Sequence, residues 1–132
     1  MTPTRVLIVD DDLQVGEMFA DALRERGYDV ALVDDGAHAL TEVARVRPDV
    51  IVLDLIMPKA ELDGLAFLSR LPSTAAADVP VVVLSGLGDA LAGELSADIT
   101  GALRIAAILA KPTSIDTLTR HIEHLVVQRP AP

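Results

Sequence analysis

The sequence predicts an α/β domain in which a parallel five-stranded sheet is doubly wound, with helices on both of its faces. Five short runs rich in Val, Ile and Leu are apolar at almost every position, as strands buried on both faces are. Segments with helical spacing separate these runs, and connections between parallel strands are helical and right-handed. Polar residues close the apolar runs, which places them at one edge of the predicted sheet.

The strands are predicted from β-branched runs that are too short to be helices. Pro80 lies near the start of the fourth run, where a missing backbone donor is tolerated. The predicted strands cover residues 5–10, 29–33, 50–54, 79–84 and 105–110.

The first helix is predicted to begin after Asp12, which can cap it, and to end at Gly27. Its expected apolar face consists of Val15, Met18, Phe19, Ala22 and Leu23. The later helices are expected at residues 37–46, 62–71, about 90–101 and about 114–127.

Several connections are also predicted. Asp34-Asp35-Gly36 is interpreted as a turn before the second helix, because Asp and Gly are common turn residues. Thr113 or Ser114 is the expected cap of the last helix. Gly86 and Gly88 are expected to lie in a loop after the fourth strand. The segment 129–132 contains two Pro residues and cannot continue the last helix, so it is interpreted as a tail or the start of a linker.

Length and composition limit the possible classes of function. A chain of 132 residues is long enough for one domain with its own core. It contains no Cys, which excludes disulfides, zinc-thiolate sites and thiol chemistry. Its 20 acidic and 11 basic residues give a net charge of −9, which opposes direct binding to nucleic acid or to an anionic membrane.

No membrane or export signal is evident in this sequence. No apolar run approaches the roughly 20 residues that span a bilayer, and the N-terminus lacks the pattern of a secretory signal. We therefore expect a cytoplasmic protein.

The polar residues that close four of the strands predict one site. They are Asp10-Asp11, Asp54, Ser85 and Lys111, and the carboxyl ends of parallel strands share one edge of a sheet. A carboxylate such as Asp54 is a competent nucleophile toward phosphorus. Crowded carboxylates repel one another unless a hard divalent cation neutralises them, and Mg²⁺ suits such ligands. Lys111 can stabilise the charge of a transferring phosphoryl group.

The order of these motifs closely resembles the receiver domain of two-component response regulators over nearly the whole chain. The motifs are Val9-Asp10-Asp11-Asp12, Leu53-Asp54-Leu55-Ile56-Met57-Pro58, Asp63-Gly64, Leu84-Ser85-Gly86 and Ala110-Lys111-Pro112. The resemblance implies a flavodoxin-like fold with strand order 2-1-3-4-5 and a receiver domain over residues 1–128.

The resemblance also implies the roles of the site residues. Asp54 would accept phosphate from a sensor histidine kinase or a phosphotransfer protein. Asp11, Asp54 and the backbone carbonyl of Ile56 would hold Mg²⁺, with Asp10 acting through water. Ser85 would bind a phosphoryl oxygen and Lys111 would pair with the phosphate. The domain would then be a signalling switch and not a conventional enzyme, with a downstream protein or effector that the sequence does not name.

The chain departs from the family pattern at several positions. Ile108 stands where the family has an aromatic switch residue. The loop after Pro58 is longer than usual, with four residues before Asp63, and the segment from Ser85 to Lys111 is also longer. Ile56 and Leu87 occupy positions that tune dephosphorylation in related domains. Their apolar side chains offer water no hydrogen bond, so we predict slow self-dephosphorylation.

Two alternatives remain open at this point. A degenerate receiver that only binds a protein partner is suggested by Ile108. A phosphohydrolase with Asp10 as nucleophile and Asp12 as acid would also follow a first strand with Asp-x-Asp. No acidic pair follows Lys111 and no cap insertion is present, which both count against the phosphohydrolase.

Overall fold

The computed structural model describes residues 3–86 and 105–128, and within these ranges the chain forms a parallel five-stranded sheet. The spatial order of the strands is β2-β1-β3-β4-β5, with every neighbouring pair parallel. This confirms the predicted flavodoxin-like arrangement. The strands are β1 (Arg5–Val9), β2 (Asp29–Val33), β3 (Val50–Asp54), β4 (Val81–Ser85) and β5 (Ile105–Ala110).

Helices cover both faces of this sheet. They are α1 (Leu13–Glu25), α2 (Gly36–Val46), α3 (Gly64–Arg70) and α4 (Ile115–Gln128), with a 3-10 turn at Leu71–Ser73. In the described ranges, no helix is both long enough and apolar enough to cross a bilayer. The predicted helix at residues 90–101, Leu87, Gly88 and the predicted tail at 129–132 lie outside the described residues.

Two hydrophobic clusters form because successive side chains of a strand point to opposite faces of the sheet. On β1, Leu7 and Val9 pack with residues of α2 and α3. Val6 and Ile8 of the same strand pack with residues of α1 and α4. The central strands β1, β3 and β4 are therefore buried almost throughout, whereas the edge strand β5 is mostly half-buried.

The fourth strand begins later than predicted. Residue 79 was expected to open it, but β4 starts at Val81 and ends at Ser85. Pro80 has no N–H to donate to a neighbouring strand. Its carbonyl still accepts a hydrogen bond from the amide of Ile51 at 3.1 Å. Pro80 therefore lies just before the strand.

The predicted apolar face of α1 is wrong at Met18, which is 61% exposed. Gly16 and Ala20 are buried against the sheet instead. A Cβ atom at Gly16 would lie only 2.7 Å from Cδ1 of Leu32, so the missing side chain lets the helix approach the sheet closely. A sequence pattern that weights large apolar residues overlooks small residues used for close packing.

The predicted caps of α1 and α4 are confirmed. Asp12 accepts a hydrogen bond from the amide of Val15, and Ser114 accepts one from the amide of Thr117 at 3.1 Å. The third helix starts at Gly64 and not at residue 62, because Asp63 is its extended N-cap and accepts from the amide of Ala66. Each cap satisfies a backbone donor that the helix itself leaves unpaired.

Candidate active site at the carboxyl edge of the sheet

Four predicted site residues lie at the carboxyl edge of the sheet. Asp10 directly follows β1, Asp54 and Ser85 are the last residues of β3 and β4, and Lys111 directly follows β5. Asp10, Asp54 and Ser85 are buried, with exposures of 1%, 6% and 1%. Buried polar side chains at the end of apolar strands are costly to retain for packing alone. Their burial makes this edge the candidate site.

Three carboxylates form the acidic part of the site. Asp10, Asp11 and Asp54 each offer one oxygen, and these oxygens all lie within 4.8 Å of one another. Hard oxygen donors at this spacing fit a divalent cation such as Mg²⁺, which binds carboxylates and retains waters at its other positions. The residues present therefore suit the metal that the sequence motifs imply.

Lys111 brings a positive charge to the same point. Its Nζ atom lies 3.1 Å from Oδ2 of Asp54 and 3.7 Å from Oδ2 of Asp10. Its backbone amide donates to the carbonyl of Ser85 at 2.9 Å, which holds the residue beside the end of β4. The Lys111 ammonium pairs with two of the three carboxylates, so the cluster retains an excess of negative charge when all three are ionised.

Burial dominates the electrostatics of Asp10. It raises the pKa of this carboxyl from 3.8 to about 6, although the amide of Asp12 and the ammonium of Lys111 act to lower it. The neighbouring charge of Asp54 contributes to this rise in the pKa. Oδ1 of Asp10 accepts from the amide of Asp12 at 2.9 Å, which orients the carboxylate. The ionised site is thus strained by repulsion and desolvation, both of which a bound cation relieves.

Backbone contacts hold the carboxyl end of β3 against α3. The amide of Gly64 donates to the carbonyl of Leu55 at 3.1 Å. A Cβ atom at Gly64 would lie 2.6 Å from both the carbonyl oxygen of Asp54 and Cα of Leu55. Only Gly allows the start of α3 to approach this closely. Gly64 therefore supports the position of Asp54.

Asp35 makes contacts with a loop that the sequence pattern does not predict. The sequence predicts only a turn at this position, whereas in the structure the carboxylate of Asp35 caps α2 and also accepts from the amides of Glu61 and Leu62. These bonds lower the pKa of Asp35, the bond from Ala37 having the largest effect. An Asp-Gly pair before a helix is a cap signal. The hydrogen bond between Asp35 and a loop about 26 residues later in the chain is visible only in the tertiary structure.

Comparison with known proteins identifies the family. The family model for the response regulator receiver domain matches residues 6–123. The chain belongs to the response regulator receiver domain family.

Curated relatives of this receiver domain carry the same family name. Response regulator MprA of Mycobacterium sp. strain KMS is 46% identical over 83 residues, which cover 63% of this chain and 35% of the relative. Response regulator MprA of Mycobacterium leprae is 48% identical over 81 residues, covering 61% of this chain and 34% of that protein. The match thus spans about a third of these relatives.

Solved structures show how closely this receiver domain keeps the family fold. The receiver domain of Francisella response regulator 1452 is 29% identical with a TM-score of 0.77, and the alignment covers 95% of this chain and 98% of that one. Chemotaxis response regulator CheY4 of Vibrio cholerae is 26% identical with a TM-score of 0.76, covering 94% and 99%. The fold is retained at low sequence identity.

The position of Asp12 counts against the phosphohydrolase alternative for this receiver domain. Asp12 is exposed and caps α1 through the amide of Val15. The carboxylate cluster instead contains Asp10, Asp11 and Asp54. A general acid must lie within hydrogen-bond reach of the group that it protonates. The carboxylate of Asp12 is instead bonded to the start of α1, which does not suit it to this role.

Proposed function

We propose that Asp54 accepts a phosphoryl group from a sensor histidine kinase or a phosphotransfer protein, in a Mg²⁺-dependent reaction that switches a protein-interaction surface. The observation that carries this proposal is the buried Asp54 carboxylate, whose Oδ2 lies 3.1 Å from Nζ of Lys111. Membership of the receiver family supports it. The two other carboxylates of the cluster complete an oxygen-rich pocket beside Asp54.

The proposed step is a transfer from nitrogen to oxygen. A carboxylate oxygen of Asp54 attacks the phosphorus of a phosphohistidine, the P–N bond breaks, and the imidazole nitrogen leaves with its electron pair. An acyl phosphate forms on Asp54. The ammonium of Lys111 donates to the oxygens of the phosphoryl group, where negative charge is spread in the transition state. Ser85 is proposed to donate to another of these oxygens.

The residues proposed to hold Mg²⁺ are Asp11, Asp54 and the backbone carbonyl of Ile56, with Asp10 acting through a water. When bound, the cation supplies positive charge that neutralises the carboxylates and the incoming phosphoryl group. Asp10 contributes a buried carboxylate that its bond from the Asp12 amide keeps oriented. These ligand assignments rest on the family pattern and on the spacing of the three carboxylates.

In this proposal the domain, placed at residues 1–128, is a switch and not a conventional turnover enzyme, because the phosphoryl group stays on its own side chain. The net charge of −9 favours a protein partner over nucleic acid or an anionic membrane. A cytoplasmic location remains our prediction from the sequence.

Intact mass spectrometry tests the proposed function. Incubation with Mg²⁺ and acetyl phosphate should add one phosphoryl group, and a chelator should prevent the addition. Absence of any gain, both with acetyl phosphate and with a phosphorylated histidine phosphotransfer protein, would favour the degenerate binding module. Continuous release of phosphate from a phosphate ester would instead support the phosphohydrolase.

Ile56→Asn should accelerate loss of the phosphoryl group. The Ile56 side chain is 52% exposed just beyond Asp54 and offers water no hydrogen-bonding group. Asn adds such a group, and one net hydrogen bond of about 1 kcal/mol in the transition state corresponds to about fivefold in rate. The decay of the phosphorylated mass in Mg²⁺ measures this directly.

Val127→Asn is the matched control for this prediction. Val127 is 83% exposed and lies near the end of α4, at the opposite end of the helix from its start near Lys111. The phosphorylated Val127→Asn variant should lose its phosphoryl group at the wild-type rate. Equal decay of the wild type and Ile56→Asn would show that the apolar side chain does not slow the hydrolysis.

A further inference from the structure

We propose that Asp35 is a positioning residue for the metal site. In this inference Asp35 fixes the loop of residues 59–62, hereafter the 59–62 loop, and the first amide of that loop holds Asp11 in place. The proposal rests on the proposed function, because it takes Asp11 as a Mg²⁺ ligand. It assigns a role to a residue that lies outside the family motifs.

The carboxylate of Asp35 joins the start of α2 to one end of the loop. Oδ1 accepts from the amide of Ala37 at 2.8 Å and from that of Leu62 at 3.2 Å, while Oδ2 accepts from the amide of Glu61 at 2.5 Å. The amide of Gly36 donates to the carbonyl of Leu62 at 2.8 Å. Four hydrogen bonds thus surround one Asp-Gly pair, and three of them restrain the loop.

Gly36 makes this junction tight. A Cβ atom at this position would lie 2.5 Å from the carbonyl oxygen of Leu62. The backbones of α2 and of the loop are therefore in direct contact, with no intervening side chain to absorb a displacement. A movement of residues 61 and 62 away from α2 breaks the bonds to Asp35.

The other end of the loop contacts the site. The amide of Lys59 donates to Oδ2 of Asp11 at 2.9 Å. This bond orients the carboxylate and leaves its second oxygen to face a cation. Loss of a hydrogen bond that orients a metal ligand typically lowers metal affinity by roughly 10–100-fold. The position of the Lys59 amide therefore affects how the Asp11 carboxylate is presented to a cation.

The loop is short enough to transmit its restraint. Only Ala60 separates Lys59 from the residues that Asp35 holds, and the amide of Ala60 donates to the carbonyl of Met57 at 3.1 Å. Asp63 follows immediately and caps α3. Residues 60–63 all take part in hydrogen bonds, so the short loop has little slack. A displacement of Glu61 and Leu62 therefore also displaces Lys59, whose amide holds Asp11.

Asp35→Ser separates the two roles of Asp35. Ser is a good N-cap, so its single oxygen can still accept from Ala37 and preserve α2. It cannot also reproduce the bonds to Glu61 and Leu62. We expect the Mg²⁺ dissociation constant to rise about threefold to tenfold, less than the roughly 10–100-fold that is typical for groups bonded directly to a metal ligand, because Asp35 acts on Asp11 through the loop. Isothermal titration calorimetry with Mg²⁺ alone measures this without phosphorylation.

Leu118→Val is the control for a general loss of stability. Leu118 is fully buried on α4, in the cluster on the other face of the sheet from α2. The dissociation constant of the Leu118→Val variant for Mg²⁺ should match that of the wild type. An unchanged constant in Asp35→Ser, or an equal increase in both variants, overturns the inference. A wild-type protein that binds no Mg²⁺ would instead refute the proposed metal site itself.

Hydrogen exchange of the wild type provides a second test that needs no variant. Coupling between two sites is reciprocal, so Mg²⁺ must stabilise the bonds that Asp35 makes if those bonds favour Mg²⁺. We expect Mg²⁺ to slow exchange of the Glu61 and Leu62 amides along with that of Lys59. Slower exchange at Lys59 with no change at Glu61 and Leu62 would show that Asp35 does not position the site.

Discussion

Replacement of Asp54 by Asn is expected to abolish phosphorylation by acetyl phosphate. The neutral amide lacks the nucleophilic carboxylate oxygen, and it also removes one of the three carboxylates proposed to hold Mg²⁺. Asp54 is buried at the end of β3, where an Asn of nearly equal size fits the same space. Intact mass spectrometry in Mg²⁺ should show one added phosphoryl group on the wild type and none on Asp54→Asn.

Asp63→Asn is the matched control for this experiment. Asp63 is an exposed acidic residue close in sequence to the site, and its role is to cap α3 through the amide of Ala66. Asn is an equally good cap, so this variant should be phosphorylated like the wild type. A phosphoryl group gained by Asp54→Asn would place the acceptor elsewhere. Asp10→Asn would then test the phosphohydrolase nucleophile.

Gly64→Ala is expected to lower the free energy of unfolding by about 3 kcal/mol, at the upper end of the usual cost of overpacking. The new Cβ would lie 2.6 Å from the carbonyl oxygen of Asp54 and 2.7 Å from that of Leu55. These are backbone atoms, so no rotamer change relieves the overlap. The backbone must move at Asp54, and the proposed phosphorylation should also slow. Urea denaturation measures the loss of stability.

Gly16→Ala is the corresponding control at a second buried glycine. Its added Cβ would also be crowded, at 2.7 Å from Cδ1 of Leu32, but this atom is the end of a flexible side chain. Ala also has a higher helix propensity than Gly inside α1. We expect a stability within about 1 kcal/mol of the wild type. If both variants lose the same stability, the backbone contact of Gly64 has no special cost.

The strands were predictable because each is a short run of mostly apolar residues, as strands of a sheet covered by helices are. The predicted strands at residues 5–10, 29–33 and 50–54 match β1, β2 and β3 to within one residue. The parallel topology also placed four polar residues at one edge, because the carboxyl ends of parallel strands share one edge of the sheet. They are Asp10, Asp54, Ser85 and Lys111. Which residues come together was thus implied by local pattern and topology.

Other features depend on how the elements pack. Met18 has the periodicity of a core residue, yet it is exposed because Gly16 and Ala20 face the sheet. The pKa of Asp10, about 6, results from burial between strands. Asp35 resembles an ordinary helix cap until the 59–62 loop is placed against it.

The sequence by itself determined the fold class, the strand order through its family motifs, and the set of polar residues at the carboxyl edge of the sheet. These features follow from local periodicity and from a topology with few alternatives. Only the tertiary structure decided the burial of Asp10, the approach of Gly64 to Asp54, and the bonds from Asp35 to residues 61 and 62. Such contacts join segments distant in sequence, and their distances depend on the packing of the whole domain.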